Sequence, residues 1–218
     1  MTYKEIIKNE EVCAFLEKGN ANLGVLGYTD HSRVHCLQVA KQAGMILEKF
    51  GYSEKEIELA KIAGYMHDIG NAINRSHHAE YGALLADRIL KETDMPLSDR
   101  ITVMSAIGNH DESTGGPVDA VSAALIIADK TDVRRSRVRQ KEKSAFDIHD
   151  RVNYAVTASK LKIKKDRSAI ALNLQIDESI CSMYDYFEIF LGRMMLCRKS
   201  AEILGSAFKL TVNGRKVL

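Results

Sequence analysis

The chain has 218 residues, of which 45% are hydrophobic and 28% charged, with 31 basic side chains against 29 acidic ones and no Trp. A chain of this size buries roughly 70% of its unfolded surface, enough for one or two cores without disulfide or metal staples, and its globular proportions argue against a disordered chain. A net charge of +2 is too near balance for a general nucleic-acid binder, so an anionic partner must be met by a local patch, and no specific nucleic-acid binding is expected. The opening MTYKEIIKNEE lacks the apolar run of a signal peptide, and no stretch of about 18 apolar residues occurs, which predicts a cytoplasmic protein that does not span a membrane. Cys13, Cys36, Cys181 and Cys197 are scattered without a CxxC pair and read as reduced thiols packed in helices.

Only two prolines and regular apolar spacing predict a mainly α protein. Ile6, Ile7, Val12, Phe15 and Leu16 place a first helix over Tyr3 to about Lys18. A second is expected from a Thr29 cap, through His35, to Gly51, and a third from the Ser53/Glu56 capping box to about Gly70, closed by His67-Asp68. Further helices are predicted over His78 to Thr93, Leu97 to about Asn109, and Pro117 to about Val138, with Gly115-Gly116 as a linker before Pro117. Short links suit a helical bundle. After Phe146 the pattern changes to a period of two over Leu161 to Ile176 around a polar turn, the mark of a β-hairpin. A long helix from about Glu178 to Leu204 and a terminal strand over Phe208 to Val212, ahead of Asn213-Gly214, complete a small α+β appendage. Residues 1–145 are thus expected to form a helical metal-binding domain and residues 146–218 the appendage, whose strands and long helix could cover the bundle or make a homodimer interface.

Four histidines and two aspartates, His35, His67, Asp68, His78, His110 and Asp129, fall at or near the predicted helix ends. Neutral imidazole and ionised carboxylate from several rigid helices suit a divalent transition metal and leave positions open for water and substrate. Asp129 ends the apolar run Ala123 to Ala128 and Asp68 follows Ile62, Ala63 and Met66; a carboxylate buried there needs a cation or several donors. One histidine on an apolar face is usually a hydrogen-bonded core residue, and Asp129 could pair with Lys130 or an Arg, so the constellation carries the weight. His31 and His77 read as exposed residues at a helix start, and His149 as structural.

The order His35, His67-Asp68, Asp129 resembles the HD-domain superfamily of metal-dependent phosphohydrolases, over about Thr29 to Arg139. His35-Cys-Leu-Gln-Val39-Ala40 is similar to that family's first helix, Gly64-Tyr-Met-His67-Asp68-Ile-Gly70 to its signature helix, and Ala128-Asp129 to its last ligand. The resemblance implies a helical fold in which His35, His67, Asp68 and Asp129 hold one metal, with His78 and His110 where some members place ligands of a second metal or phosphate contacts. One or two ions of Mn, Fe, Co, Ni or Zn are expected per chain, because imidazole suits these more than Mg. Asp68 is the catalytic candidate, bridging two metals or orienting water. Beyond Asp129, residues 133–143 hold six basic side chains against one acidic. Lys130, Arg134 and Arg135 are the expected substrate-phosphate contacts, Lys130 and Arg134 one turn apart if the helix continues. Arg137, Arg139, Lys141 and Lys143 read equally as a solvated helix end.

The expected activity is therefore hydrolysis of a phosphate ester or anhydride of a small metabolite or nucleotide, as a phosphomonoesterase or phosphodiesterase. The alternative is an HD-fold metal- or nucleotide-binding regulatory module without turnover. Asn71 stands where many members have Lys after His-Asp-x-Gly, which removes a cationic donor from the site.

Overall fold

The structure, a computed structural model, describes residues 1–139 and 148–218, with nothing described for the side chains of residues 148 and 149. Lys141, Lys143, the side chain of His149 and the expected domain boundary at residue 145 lie outside the described residues. Among the described residues, nine α-helices run in the order α1 (Tyr3–Ile6), α2 (Glu10–Val25), α3 (Arg33–Phe50), α4 (Glu54–Met66), α5 (His78–Lys91), α6 (Leu97–Gly108), α7 (Ala120–Lys130), α8 (Ile148–Ala155) and α9 (Met183–Ile203). Strands β1 (Val156–Ile163) and β2 (Ala169–Ile176) precede α9, and β3 (Ala207–Val212) and β4 (Arg215–Lys216) follow it. The protein is mainly α with a small four-stranded sheet in its C-terminal part. Among the described residues no helix is long and apolar enough to cross a membrane.

Local chemistry sets most boundaries. The Asn9 side chain accepts from the Val12 amide and starts a new helix, so the first predicted helix is two, α1 and α2. Ser32, rather than Thr29, caps α3, and Gly51 ends it at φ 80°. The Ser53/Glu56 capping box opens α4 as expected. The helix α7 stops at Lys130 instead of running to Val138. There the Thr131 hydroxyl donates back to the Ile127 carbonyl at 2.6 Å, and Thr-Asp-Val is a poor helix continuation. The turn is then fixed by Arg137, whose guanidinium donates to the carbonyls of Asp132 at 2.8 Å and Asp30 at 2.9 Å. Arg139 similarly donates to the Tyr28 carbonyl at 2.9 Å, so these two cations clamp loops instead of decorating a solvated helix end.

In the sheet, β1 and β2 form the antiparallel hairpin and α9 crosses over to place β3 parallel to β2. Asn213-Gly214, both at positive φ, turns β3 back into β4. The buried face of α9, including Tyr186, Phe190, Met194 and Cys197, is continuous with the core of the bundle, and α9 packs on α7. That covers α7, the helix that delivers Asp129.

Two glycines permit the close approaches that assemble the site. A Cβ on Gly64 would lie 2.7 Å from Ala40 Cα, nearer than real Cβ atoms come, so glycine lets α4 lie this close to α3. A Cβ on Gly70 would lie 2.0 Å from the His78 carbonyl oxygen, so only glycine lets the segment after His67-Asp68 sit against the start of α5. Gly64→Ala is expected to cost about 1–3 kcal/mol through overpacking, read as a lowered thermal midpoint. An unchanged midpoint would contradict the packing described for α3 and α4.

Candidate metal centre

Five helix ends converge on one point. His35 lies in the first turn of α3, His67-Asp68 directly follow α4, His78 opens α5, His110 follows α6, and Asp129 is in the last turn of α7. The imidazole Nε2 of His35 lies 3.3 Å from Asp129 Oδ1 and 3.8 Å from Asp68 Oδ2. His67 Nε2 lies 3.6 Å and 3.3 Å from the same two oxygens. Asp68 Oδ1 turns the other way, 3.9 Å from His78 Nε2, which in turn lies 3.2 Å from His110 Nε2. Among the described residues three triads therefore lie within metal-binding reach, His35–His67–Asp129, Cys36–His67–Asp68 and Asp68–His78–His110, with Asp68 shared by the last two.

The other ring nitrogens are already engaged. Nδ1 of His67 faces the Gly64 carbonyl at 2.9 Å, that of His110 the Ile107 carbonyl at 2.6 Å, and that of His78 the Arg75 carbonyl at 3.1 Å. His35 Nδ1 faces the Asp132 carboxylate at 2.7 Å. A proton held on Nδ1 by an acceptor leaves the Nε2 lone pair for a cation, the usual arrangement around a ligating imidazole. His35 Nε2 and Asp68 Oδ2 are buried and have no hydrogen-bond partner. Such atoms are costly, and a divalent ion would satisfy both; the residues present fit one.

The charges tell the same story. Burial alone would raise the Asp68 carboxyl, but the neighbouring His67 imidazole outweighs it and holds Asp68 well below the usual carboxylate range. Asp129 is held low in the same way, against burial, chiefly by the ammonium of Lys130. Burial opposes a charge on His67, yet Asp68 and Asp129 lift its pKa to about 10. Burial, with His78 and His67 alongside, pushes His110 down to about 3. Without an ion, the imidazolium of His67 serves two carboxylates while His110, pushed down by burial, stays neutral.

The residues expected to touch phosphate separate into two groups. Lys130 lines the inner pocket, bridging Asp129 at 2.9 Å and Glu112 at 2.6 Å. Arg134 and Arg135 do not line it. With α7 ended at Lys130, Arg134 turns to donate to Asp132 at 2.9 Å, and Arg135 stacks on the Tyr154 ring at 4.4 Å. The lining cations are instead Lys130, Arg75, Arg137 and Arg193. Arg75 stands where the chain lacks a cation at Asn71: the Asn71 amide donates to Asp68 Oδ1 at 2.7 Å, and its carbonyl oxygen accepts from Arg75 at 3.3 Å. His31, read as an exposed residue, also lines this pocket with its ring edge-on to His35, whereas His77 is exposed. The pocket opens into a cleft of about 560 Å³ bordered by Tyr28, Arg75, Asp111 and Arg193.

A family model of the HD domain matches residues 33–166, more than half of the chain, and the chain belongs to the HD-domain family. HD domains bind divalent metals, and the buried clusters fit that property. An uncharacterized protein of Methanocaldococcus jannaschii is 28% identical over 212 residues, covering 87% of this chain and 80% of that protein. Ribonuclease Y of Campylobacter concisus is 31% identical over 119 residues, 55% of this chain and 21% of that protein. Ribonuclease Y of Enterococcus faecalis is 34% identical over 101 residues, 45% and 17% respectively. The chain thus matches about a fifth of the length of these ribonuclease Y relatives.

A bound ion stabilises the folded state by mass action, so adding Mn²⁺ to chelator-treated protein is expected to raise the thermal midpoint. Asp132→Asn, which removes the charge behind His35, is expected to weaken ion affinity about 10- to 100-fold, read from the Mn²⁺ concentration dependence of that rise. An identical dependence in the variant would remove Asp132 from the site.

Proposed function

We propose that the chain is a metal-dependent phosphohydrolase acting on a phosphate ester or anhydride of a small metabolite or nucleotide. His35, His67, Asp68 and Asp129 would hold one ion, with His78 and His110 completing a second site around Asp68. The observation that carries this reading is the pair of buried atoms without hydrogen-bond partners, His35 Nε2 and Asp68 Oδ2, facing each other across the cluster. An ion bound there would bring the pKa of its water toward neutrality and offset charge on phosphoryl oxygens.

The chain's own groups have separable tasks. Asp68 is the catalytic candidate, since one oxygen is fixed by Asn71 and the other faces His35 and His67, so it would hold the ion and set the place of its water. Asp132 holds the His35 ring in orientation. Arg75 is the best-placed phosphate anchor, because its guanidinium meets the neutral Asn71 and His78 side chains, each at 3.3 Å, whereas Lys130 and Arg193 are each paired with Glu112 and Arg137 donates to two carbonyls at 2.9 Å and 2.8 Å. A guanidinium can grip phosphate through two N–H groups at once. The four free thiols suit a reducing compartment, and we place the reaction in the cytoplasm. The likeness to proteins named ribonuclease Y favours a phosphodiester among the candidate bonds.

The test is a panel of phosphomonoesters, nucleotides, cyclic nucleotides and short oligonucleotides assayed with Mn²⁺, Co²⁺, Ni²⁺ and Fe²⁺. Turnover is expected, abolished by Asp68→Ala with helical content retained. Tight binding of a nucleotide without product would favour the regulatory alternative. Arg75→Ala is expected to raise KM more than it lowers kcat, with part of the affinity recovered in Arg75→Lys. Unchanged kinetics in Arg75→Ala would overturn its role.

A further inference from the structure

The sheet carries a charged surface unrelated to the metal cluster. Its register aligns Lys160 of β1, Asn173 of β2, Thr211 of β3 and Lys216 of β4 in one row. The next row on that face runs Lys162, Ala171, Lys209, and Ala158 pairs with Gln175 beyond the first. Opposed residues share a face, and the alternate set, including Ile170, Leu172, Leu174, Phe208 and Leu210, is buried. The lysines therefore stand on the outer side, and all four are exposed. The inner side meets the end of α7, where the Ser159 hydroxyl donates to the Thr131 carbonyl.

Among the described residues, the strands place four lysines and no carboxylate on this face, in a chain whose charges otherwise nearly balance. Among the described residues none of the four enters an ion pair, in contrast to Lys55 with Asp99 and Lys130 with Glu112. Protection of sheet edges against pairing would account for lysines on β1 and β4. It does not account for their gathering on a single face: Lys209 lies beyond Thr211 and Val212, the residues of β3 that β4 pairs, yet stands on the same side as Lys160, Lys162 and Lys216. Lys162 and Lys209 sit two strands apart, about 9.6 Å by ordinary strand spacing, beyond the roughly 8 Å over which exposed charges act on one another at physiological ionic strength, so the face presents them as separate contacts for a polyanion.

The chemistry between the lysines selects the polyanion. Asn173, Gln175 and Thr211 offer amide and hydroxyl groups of the kind that contact phosphate and sugar oxygens. No aromatic platform for unstacked bases and no apolar wedge for a bilayer stands among them. We propose that the outer face of the sheet binds the sugar-phosphate backbone of a nucleic acid without reading its sequence.

The test is fluorescence anisotropy with labelled single-stranded RNA, duplex RNA and DNA of one sequence, alongside sedimentation with phosphatidylserine-containing vesicles. A variant carrying K160Q, K162Q, K209Q and K216Q is compared with one carrying K4Q, K8Q, K18Q and K41Q, which removes equal charge elsewhere. The wild type and the second variant are expected to bind oligonucleotides with a salt dependence of about 0.7–0.9 logarithmic units per lysine engaged. The sheet variant is expected to lose at least tenfold in affinity and most of that slope, while hydrolysis of a small substrate is unchanged. Equal loss in both variants, binding to vesicles but not oligonucleotides, or no oligonucleotide binding at low salt would each overturn the proposal. The relative strength on RNA and DNA identifies the preferred backbone, and because binding is read without turnover, the result is independent of the catalytic reading.

Discussion

Removing a carboxylate from water is tolerable only where positive charge or several donors replace the solvent, and that requirement organises the centre of this molecule. Asp68 and Asp132 are buried and Asp129 nearly so, all within a shell of imidazoles. Each has been given a different solution. Asp132 is satisfied outright, by Arg134 and the His35 ring. Asp129 has one oxygen on Lys130 and the other toward the histidines. Asp68 keeps one oxygen without a hydrogen-bond partner, 3.3 Å from His67 Nε2 and 3.8 Å from the Nε2 of His35, which likewise lacks a hydrogen bond. A cation between them is the arrangement that removes the cost, and the fixed Nδ1 hydrogen bonds around it keep the rings aimed there.

The fold serves that arrangement through helix ends. A ligand in the first or last turn of a helix is held by a rigid element, yet leaves space beyond the terminus for water and substrate. Gly64 lets α4 approach α3 and Gly70 lets the following segment approach α5, so three of the converging ends are set by two missing side chains. The fourth and fifth come from α6 and from α7, the latter pressed between the bundle and α9. Arg137 and Arg139 tie the loop before α3 to the segment after α7, which closes the same region from outside.

Much of this was legible in the chain. Helix caps at Ser53 and Gly51, the hairpin, the long helix and the Asn213-Gly214 turn all depend on neighbours in sequence, and the pattern reports them directly. Asp68 and Asp129 could be named because a charge at the end of an apolar run is a local signal, and the four histidines because they fall at helix ends in an order that resembles a known family; the structure brings all six together. The anchoring cations could not be read this way. Arg134 and Arg75 look alike in sequence, and which one faces the pocket depends on where α7 ends and on how α5 approaches Asp68. The role of Asp132 likewise depends on a distance to His35, 97 positions away; the one available clue was a second acid three residues after Asp129, beside two arginines. His31 seemed exposed because helix α3 begins later than its Thr29 signal suggests, leaving His31 in the loop that folds over the site.

The most direct measurement is an anomalous-scattering map from crystals of protein purified without chelator, collected across the absorption edges of Mn, Fe, Co, Ni and Zn. A peak within about 2.0–2.2 Å of the Nε2 atoms of His35 and His67 and of the Asp68 and Asp129 carboxylates is the predicted result. No peak there in crystals grown with excess metal, or an ion held elsewhere while these side chains hydrogen-bond among themselves, would contradict it.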